Sequence, residues 1–254
     1  ENMKIPSIGR TATSFAAVAL AGVAARAATV TNPFLWVDVP DISIVRVDKK
    51  YYMSQTTMHM TPGVPIMESD DMYQWKTVSY CYSTLASNDA LNLVNGKDAY
   101  GNGSWASSIR YKNGTFYVLV PSNTTGRNHL YTTKDVKNGP WKETLLPGAH
   151  DPSLVLDDDG RNYVVSGAGN TQLVEMNADL TGVKPGGVNK RIIATPHAIT
   201  GITTGLGAEG SQVLKKDGWY YIFHICWPTG KQRTVIGHRS KSIEGPYEGK
   251  VLLQ

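Results

Sequence analysis

From about residue 40 the apolar positions of this chain alternate with polar ones instead of recurring at helical spacing. Short runs rich in Val, Ile, Tyr and Thr are broken by Gly, Asn, Asp and Pro, the pattern of strands joined by tight turns. Four runs share one strand–turn–strand shape. Asp41-Ile-Ser-Ile-Val-Arg-Val turns at 48–50 into Tyr51-Tyr-Met-Ser. Trp105-Ala-Ser-Ser-Ile-Arg-Tyr turns at Lys112-Asn-Gly into Thr115-Phe-Tyr-Val-Leu-Val. Asp151-Pro-Ser-Leu-Val-Leu turns at Asp157-Asp-Asp-Gly into Asn162-Tyr-Val-Val, and Glu209-Gly-Ser-Gln-Val-Leu turns at Lys215-Lys-Asp-Gly into Trp219-Tyr-Tyr-Ile-Phe. Asn-Gly and Asp-Gly between apolar strands are strong hairpin signals.

Each unit continues into a third strand, at 65–69, 129–133, 173–176 and 234–239, and the first two units add a fourth near Trp75 and Trp141. Gly245-Pro-Tyr in the last unit parallels Gly139-Pro-Trp in the second. Four-stranded units repeating every 45 to 65 residues or so describe propeller blades, with a β-sandwich as the competing all-β reading. Aligned on Ser43, Ser107, Ser153 and Ser211, the units place Asp41, Trp105, Asp151 and Glu209 at one equivalent position, two residues earlier. The innermost strand of each blade lines the central channel, so these four residues are expected to ring one end of it. Like charges held together cost energy, which makes a ring of three carboxylates a candidate site.

Three chemistries suit such a ring. Two carboxylates suffice for glycoside hydrolysis, one protonated and one ionised, and a third can adjust the acid through repulsion. Three carboxylates can also hold calcium, or can serve as hydrogen-bonded strand ends without chemistry.

The composition narrows the partners. The chain has 254 residues and a formal charge of +4. Lys4, Arg10 and Arg26, against Glu1, supply half of the excess, and the remainder is close to neutral, with no basic stripe for nucleic acid. Residues 1–28 read as a secretory signal, with a short Ala/Val-rich run ending in Ala25-Arg-Ala27, too short to span a membrane. Export makes the protein secreted, extracellular or periplasmic. Cys81 and Cys226 are expected to be separate buried thiols.

The segments resemble glycoside hydrolase family 43, the β-xylosidase and α-L-arabinofuranosidase family. The likeness rests on Asp38-Val-Pro-Asp41-Ile-Ser, Trp105-Ala-Ser-Ser-Ile-Arg-Tyr, His150-Asp-Pro-Ser and Ala208-Glu-Gly-Ser211, and runs over residues 32–254. It implies an all-β, five-bladed β-propeller catalytic domain, of which about four blades fall within this chain, the fifth being expected outside it. It implies an inverting, exo-acting hydrolase releasing xylose or arabinofuranose from hemicellulose, with a carbohydrate-binding propeller without turnover as the alternative. Asp41 would be the general base, Glu209 the general acid, and Asp151 the residue that tunes and orients the acid. Asp38 is the rival base. Inversion asks for roughly 6.5–9.5 Å between the two working carboxyls. Ile42 stands where the family has Pro, and Ser107 breaks its Trp-Ala-Pro.

Trp105, His59 and Trp227 are the expected substrate contacts; His150, flanking the expected mouth, is read as a packing residue ahead of a substrate hydrogen bond, and His129 and His238 as structural. His224 is read either as pocket lining or as blade core. No His or Cys pair has zinc spacing, no metal is assigned, and no cofactor is required. Calcium, which some relatives hold in the channel through a His of the fifth blade, is left open. The partner is an oligosaccharide or polysaccharide, not nucleic acid or membrane.

Overall fold

The computed structural model describes residues 31–254, so the signal-peptide reading of residues 1–28 lies outside the described residues. Sixteen strands form four separate antiparallel sheets, each in simple sequential order. Blade one contains β1 (Ser43–Val47), β2 (Lys50–Ser54), β3 (Gly63–Ser69) and β4 (Lys76–Tyr82). Blade two contains β5 (Ser108–Lys112), β6 (Thr115–Ser122), β7 (Arg127–Thr133) and β8 (Lys142–Pro147). Blade three contains β9 (Ser153–Leu156), β10 (Asn162–Ser166), β11 (Thr171–Met176) and β12 (Asn189–Ile193). Blade four contains β13 (Thr204–Lys216), β14 (Trp219–Pro228), β15 (Thr234–Ser240) and β16 (Glu248–Leu253). The four expected units are thus blades of a propeller, and the third and fourth also carry outer strands.

The hairpin turns sit where Asn-Gly and Asp-Gly placed them. Asn113 and Gly114 hold φ of 50° and 77°, and Asp217 and Gly218 hold 51° and 71°. Both central residues are left-handed, as a two-residue turn matched to strand twist requires.

Apolar side chains fill the gaps between neighbouring blades. Val64 and Ile66 pack with Ile109 and Val118, Leu119 and Leu130 with Leu154 and Val164, and Val165 and Leu173 with Ile222. Cys81 lies in the first of these layers and Cys226 against blade four, both as free buried thiols. His224 is buried in the same blade and belongs to its core, with Nε2 3.1 Å from Thr171 Oγ1. The opposite flank of blade four, with Tyr221 and Phe223, borders a cavity of about 580 Å³. The flank of blade one carrying Pro65 and Met67 borders one of about 660 Å³. At the axis blades one and four meet, where Ser43 Oγ donates to Gln212 Oε1 at 3.3 Å.

Polar contacts cross the blade junctions near the axis. Ser43 Oγ accepts the Ile109 N–H at 3.3 Å, Ser108 Oγ the Leu154 N–H at 3.1 Å, and Ser153 Oγ the Val213 N–H at 3.1 Å. Each inner strand therefore ties its neighbour through one hydroxyl. Arg110 reaches along the channel from blade two. Its guanidinium donates to Ser43 Oγ at 3.4 Å, Ser153 Oγ at 2.8 Å and the Val213 carbonyl at 3.2 Å, touching the other three blades. Loss of surrounding water pulls its pKa down to about 10, still far above neutrality, so the cation persists.

Two more buried acids staple blades together. Asp157 takes Lys215 and the Tyr220 hydroxyl from blade four, while its carbonyl takes Lys112 of blade two. Glu68, 2% exposed, is held by Lys50 at 3.1 Å, the Tyr52 hydroxyl at 3.1 Å and Lys137 of blade two at 2.9 Å. Burial alone would raise the Glu68 pKa, but hydrogen bonds from Lys137, Lys50 and Tyr52 outweigh it and hold the carboxyl at about 2 instead of its usual 4.5. A depressed folded pKa stabilises the fold above the unfolded value and loses that contribution as pH falls. Allowing for solvent around the lysines, Glu68→Gln should cost about 2 kcal/mol at pH 7, with the deficit narrowing below pH 4.5. Urea unfolding of the two proteins across that range checks this, and a deficit independent of pH would refute it.

Candidate active site

Asp41 ends the segment leading into β1, Asp151 lies just before β9, and Glu209 lies within β13. Asp41 and Asp151 hold φ of 53° and 44°, and Gly210, next to Glu209, holds 68°. Left-handed backbone is uncommon for residues with a side chain, and Asp tolerates it better than most. These three residues stand two positions before Ser43, Ser153 and Gln212, whose places in the cross-blade bonding pattern are equivalent. Local strain of this kind collects at functional sites.

That equivalence corrects the alignment read from the sequence. In blade two the cross-blade hydroxyl belongs to Ser108, not Ser107, and in blade four the matching position is Gln212, not Ser211. The register of β13 against β14 shifts between Glu209 and Gln212, a bulge that inserts one residue. Trp105 and Glu209 therefore sit one residue ahead of Asp41 and Asp151. The bulge re-aims Glu209, and the backbone N–H of Gly210 beside it donates to Asp151 Oδ2 at 3.1 Å.

The three acids share one electrostatic environment. Burial pushes the Asp41 carboxyl above its ordinary range and Glu209 pushes it the same way, while the cation of Arg233 opposes them. Burial also raises Asp151; His150 opposes that shift, and Glu209 and Asp41 add to it. Acids far apart in the chain thus repel one another at one place.

His150 belongs to this cluster and is not the packing residue the sequence suggested. Its Nε2 lies 3.2 Å from Glu209 Oε2 and 3.5 Å from Asp151 Oδ2, on a half-buried ring. It stands between the two acids because it directly precedes Asp151, whose left-handed backbone turns the chain there. The Trp105 ring meets His150 edge-on at 6.0 Å, and its indole N–H is tied to the Gly101 carbonyl at 2.7 Å. Trp105, His150 and Asp151 line one wall of a cleft of about 330 Å³.

The other expected contacts lie elsewhere. His59 lines the separate cavity over blade one, its ring 4.8 Å from Tyr100 and its Nδ1 buried without a partner. Asp38, the rival base, lines that cavity too, whereas Asp41 is in the acidic cluster. Trp227 is half exposed on β14, with its N–H held by the Lys231 carbonyl at 2.8 Å and Arg233 over its ring at 5.6 Å. Its link to the acids runs through Arg233. Sequence reasoning missed Arg233, because nothing in the loop after β14 marks which way it folds. His129 is structural, as expected: it is buried, with Nδ1 2.7 Å from Glu143. His238 is likewise buried in its third strand, β15.

Among the described residues, His150, Asp151 and Glu209 are the one grouping that could ligate a cation, with donor atoms within 4.8 Å of one another. An imidazole and two carboxylates, which already receive the His150 ring and the Gly210 N–H, leave most of the six to eight ligands calcium takes, waters among them, to come from elsewhere. The cluster fits proton transfer better than a hard cation.

Comparison with known proteins places the arrangement. The family model "Glycosyl hydrolases family 43" matches residues 30–252. A β-xylosidase of Formosa agariphila is 32% identical over 260 residues, covering 89% of this chain and 41% of the relative. A non-reducing-end α-L-arabinofuranosidase of Bacteroides ovatus is 30% identical, covering 90% of this chain and 42% of the relative. The solved structure of a bifunctional GH43-CE protein of Bacteroides eggerthii is 50% identical and superposes with a TM-score of 0.85, over 89% of this chain and 29% of that one. The chain spans about two fifths of the length of the curated relatives it matches. With the family model covering nearly all of the described residues and the propeller acids in place, the chain belongs to glycosyl hydrolase family 43.

Proposed function

We propose that Asp41, Asp151 and Glu209 form the catalytic centre of an inverting, exo-acting glycoside hydrolase that releases xylose or arabinofuranose from xylan, arabinoxylan and their oligosaccharides. The observation that carries this reading is the convergence of three acids from separate blades on one cluster. The names of the relatives, β-xylosidase and non-reducing-end α-L-arabinofuranosidase, support the substrate class. Export through the N-terminal segment is part of the proposal, since a plant polysaccharide is met outside the cell.

The chemistry divides between Asp41 and Glu209. Asp41 accepts a proton from a water, which attacks the anomeric carbon from one face of the sugar. Glu209 gives its proton to the departing glycosidic oxygen on the other face, and the configuration inverts. Asp151 holds the backbone beside Glu209 through the Gly210 N–H and meets His150, which also contacts Glu209. Asp151 is therefore a positioning residue. Arg233 counters the effect of burial on Asp41, keeping the base ionised at lower pH than its surroundings alone would allow.

Asp41→Asn and Glu209→Gln, each made in the intact protein, should lower turnover of xylo-oligosaccharides by about 10²–10⁴-fold while leaving sugar affinity in place. Glu209→Gln should lose less on an aryl glycoside, whose leaving group needs no proton. Unchanged turnover in either variant would overturn the assignment. Sugar binding by the unsubstituted protein without any hydrolysis would instead make it a carbohydrate-binding propeller. Arg233→Gln removes the cation that favours the Asp41 carboxylate, so the acidic limb of its kcat/KM–pH profile should move to higher pH. An unmoved limb would separate Arg233 from the base.

A further inference from the structure

The cleft that begins at the acids does not end there. It runs along the junction of blades two and three, with Asn123, Arg127 and Asn128 forming the wall away from Trp105, His150 and Asp151. Its volume, about 330 Å³, is at the lower end of small-molecule sites. The far wall is built by the hairpin between β6 and β7. Gly126 and Gly148 also line it, and a Cβ at 148 would come within 2.6 Å of the Gly126 carbonyl oxygen. The two loops thus meet backbone to backbone, and a side chain at 148 would force them apart.

The polar groups of the far wall are only partly used by the protein. Asn128 is 1% exposed, and its amide oxygen receives only a long bond, 3.4 Å, from the Ala149 N–H. Arg161 and Arg239 each hold a carboxylate of the chain, Asp159 and Glu248. Arg127 is exposed at the cleft and holds none among the described residues.

We propose that this cleft is a second sugar subsite, next to the one that receives the residue to be released, and that Arg127 selects there a sugar carrying a carboxylate, such as a uronic acid substituent. The proposal rests on the hydrolase reading above. Charge sets the polarity of the subsite. Its near end is bounded by Asp151 and lies next to Glu209, where a second carboxylate would be repelled; its far end presents a guanidinium. The planar fork of Arg matches the two oxygens of a carboxylate, and the Asn amides match ring hydroxyls. At the near end, the Trp105 ring, fixed by its bond to Gly101, offers a flat apolar face to a neutral sugar. A neutral unit by Trp105 followed by an acidic one by Arg127 satisfies both ends.

The test uses the intact protein with Glu209→Gln, so that sugars stay whole, and calorimetric titration with xylotriose and with xylotriose bearing a glucuronic acid branch. The acidic sugar should bind about tenfold more tightly than the neutral one, with the advantage shrinking at high salt. Arg127→Met should remove that advantage and leave xylotriose affinity unchanged, and Arg127→Lys should retain part of it. Equal affinity for the two sugars, or an advantage that survives Arg127→Met, would overturn the subsite while leaving the hydrolase reading intact. Failure of the unsubstituted protein to hydrolyse aryl xyloside and arabinofuranoside, with no sugar bound, would take down both.

Discussion

Four sheets that share no hydrogen-bonded ladder need something to hold them round one axis, and here a single cation does it from the inside. The Arg110 guanidinium leaves blade two and donates to blades one, three and four, while the serines at the inner edges pass a backbone hydrogen bond from each blade to the next. An arginine so placed has lost much of its water, and its bonds to hydroxyls and a carbonyl compensate for that loss. Its partners Ser43, Ser153 and Val213 lie two to four residues from Asp41, Asp151 and Glu209. Their separation depends on blade angle as much as on local backbone.

Around that axis the site is assembled from small departures from repeat symmetry. Asp41 and Asp151 take left-handed backbone at the point where an inner strand begins, and Gly210 does so in blade four. Had Glu209 occupied the symmetric position, it would have had to adopt that conformation itself. The bulge gives the strained position to glycine and puts the longer acid one residue earlier, beside His150. Blade two repeats the offset with an indole, so the ring of equivalent positions holds two acids in one phase and an acid and an aromatic in another. Asymmetry of this sort gives the carboxylates different surroundings.

Charge is managed differently in the staples and at the mouth. Glu68 and Asp157 are buried, yet lysines and tyrosine hydroxyls surround them, and for Glu68 that drives the carboxyl down to about 2. Asp41 and Asp151 have fewer partners, and burial raises them instead. The same residue chemistry therefore gives a staple with a lowered pKa where donors are plentiful and a carboxyl with a raised pKa where they are scarce.

Much of this protein was decided by its local sequence. Alternating apolar residues, Asn-Gly and Asp-Gly turns and a repeating unit fix strands, hairpins and blades, because those features depend on neighbours a few residues apart. The acids could be found for the same reason, since each stands two residues before a serine of its repeating unit. Tertiary structure alone decided the one-residue slip at Ser108 and Gln212, which depends on how one sheet registers against the next. It also brought His150 between two acids, turned Arg233 toward Asp41, set His59 in a separate cavity and ran Arg110 along the channel. Each of these is a contact between residues on different blades or loops, fixed by the rotation of one sheet relative to another, and no periodicity within a strand encodes that rotation.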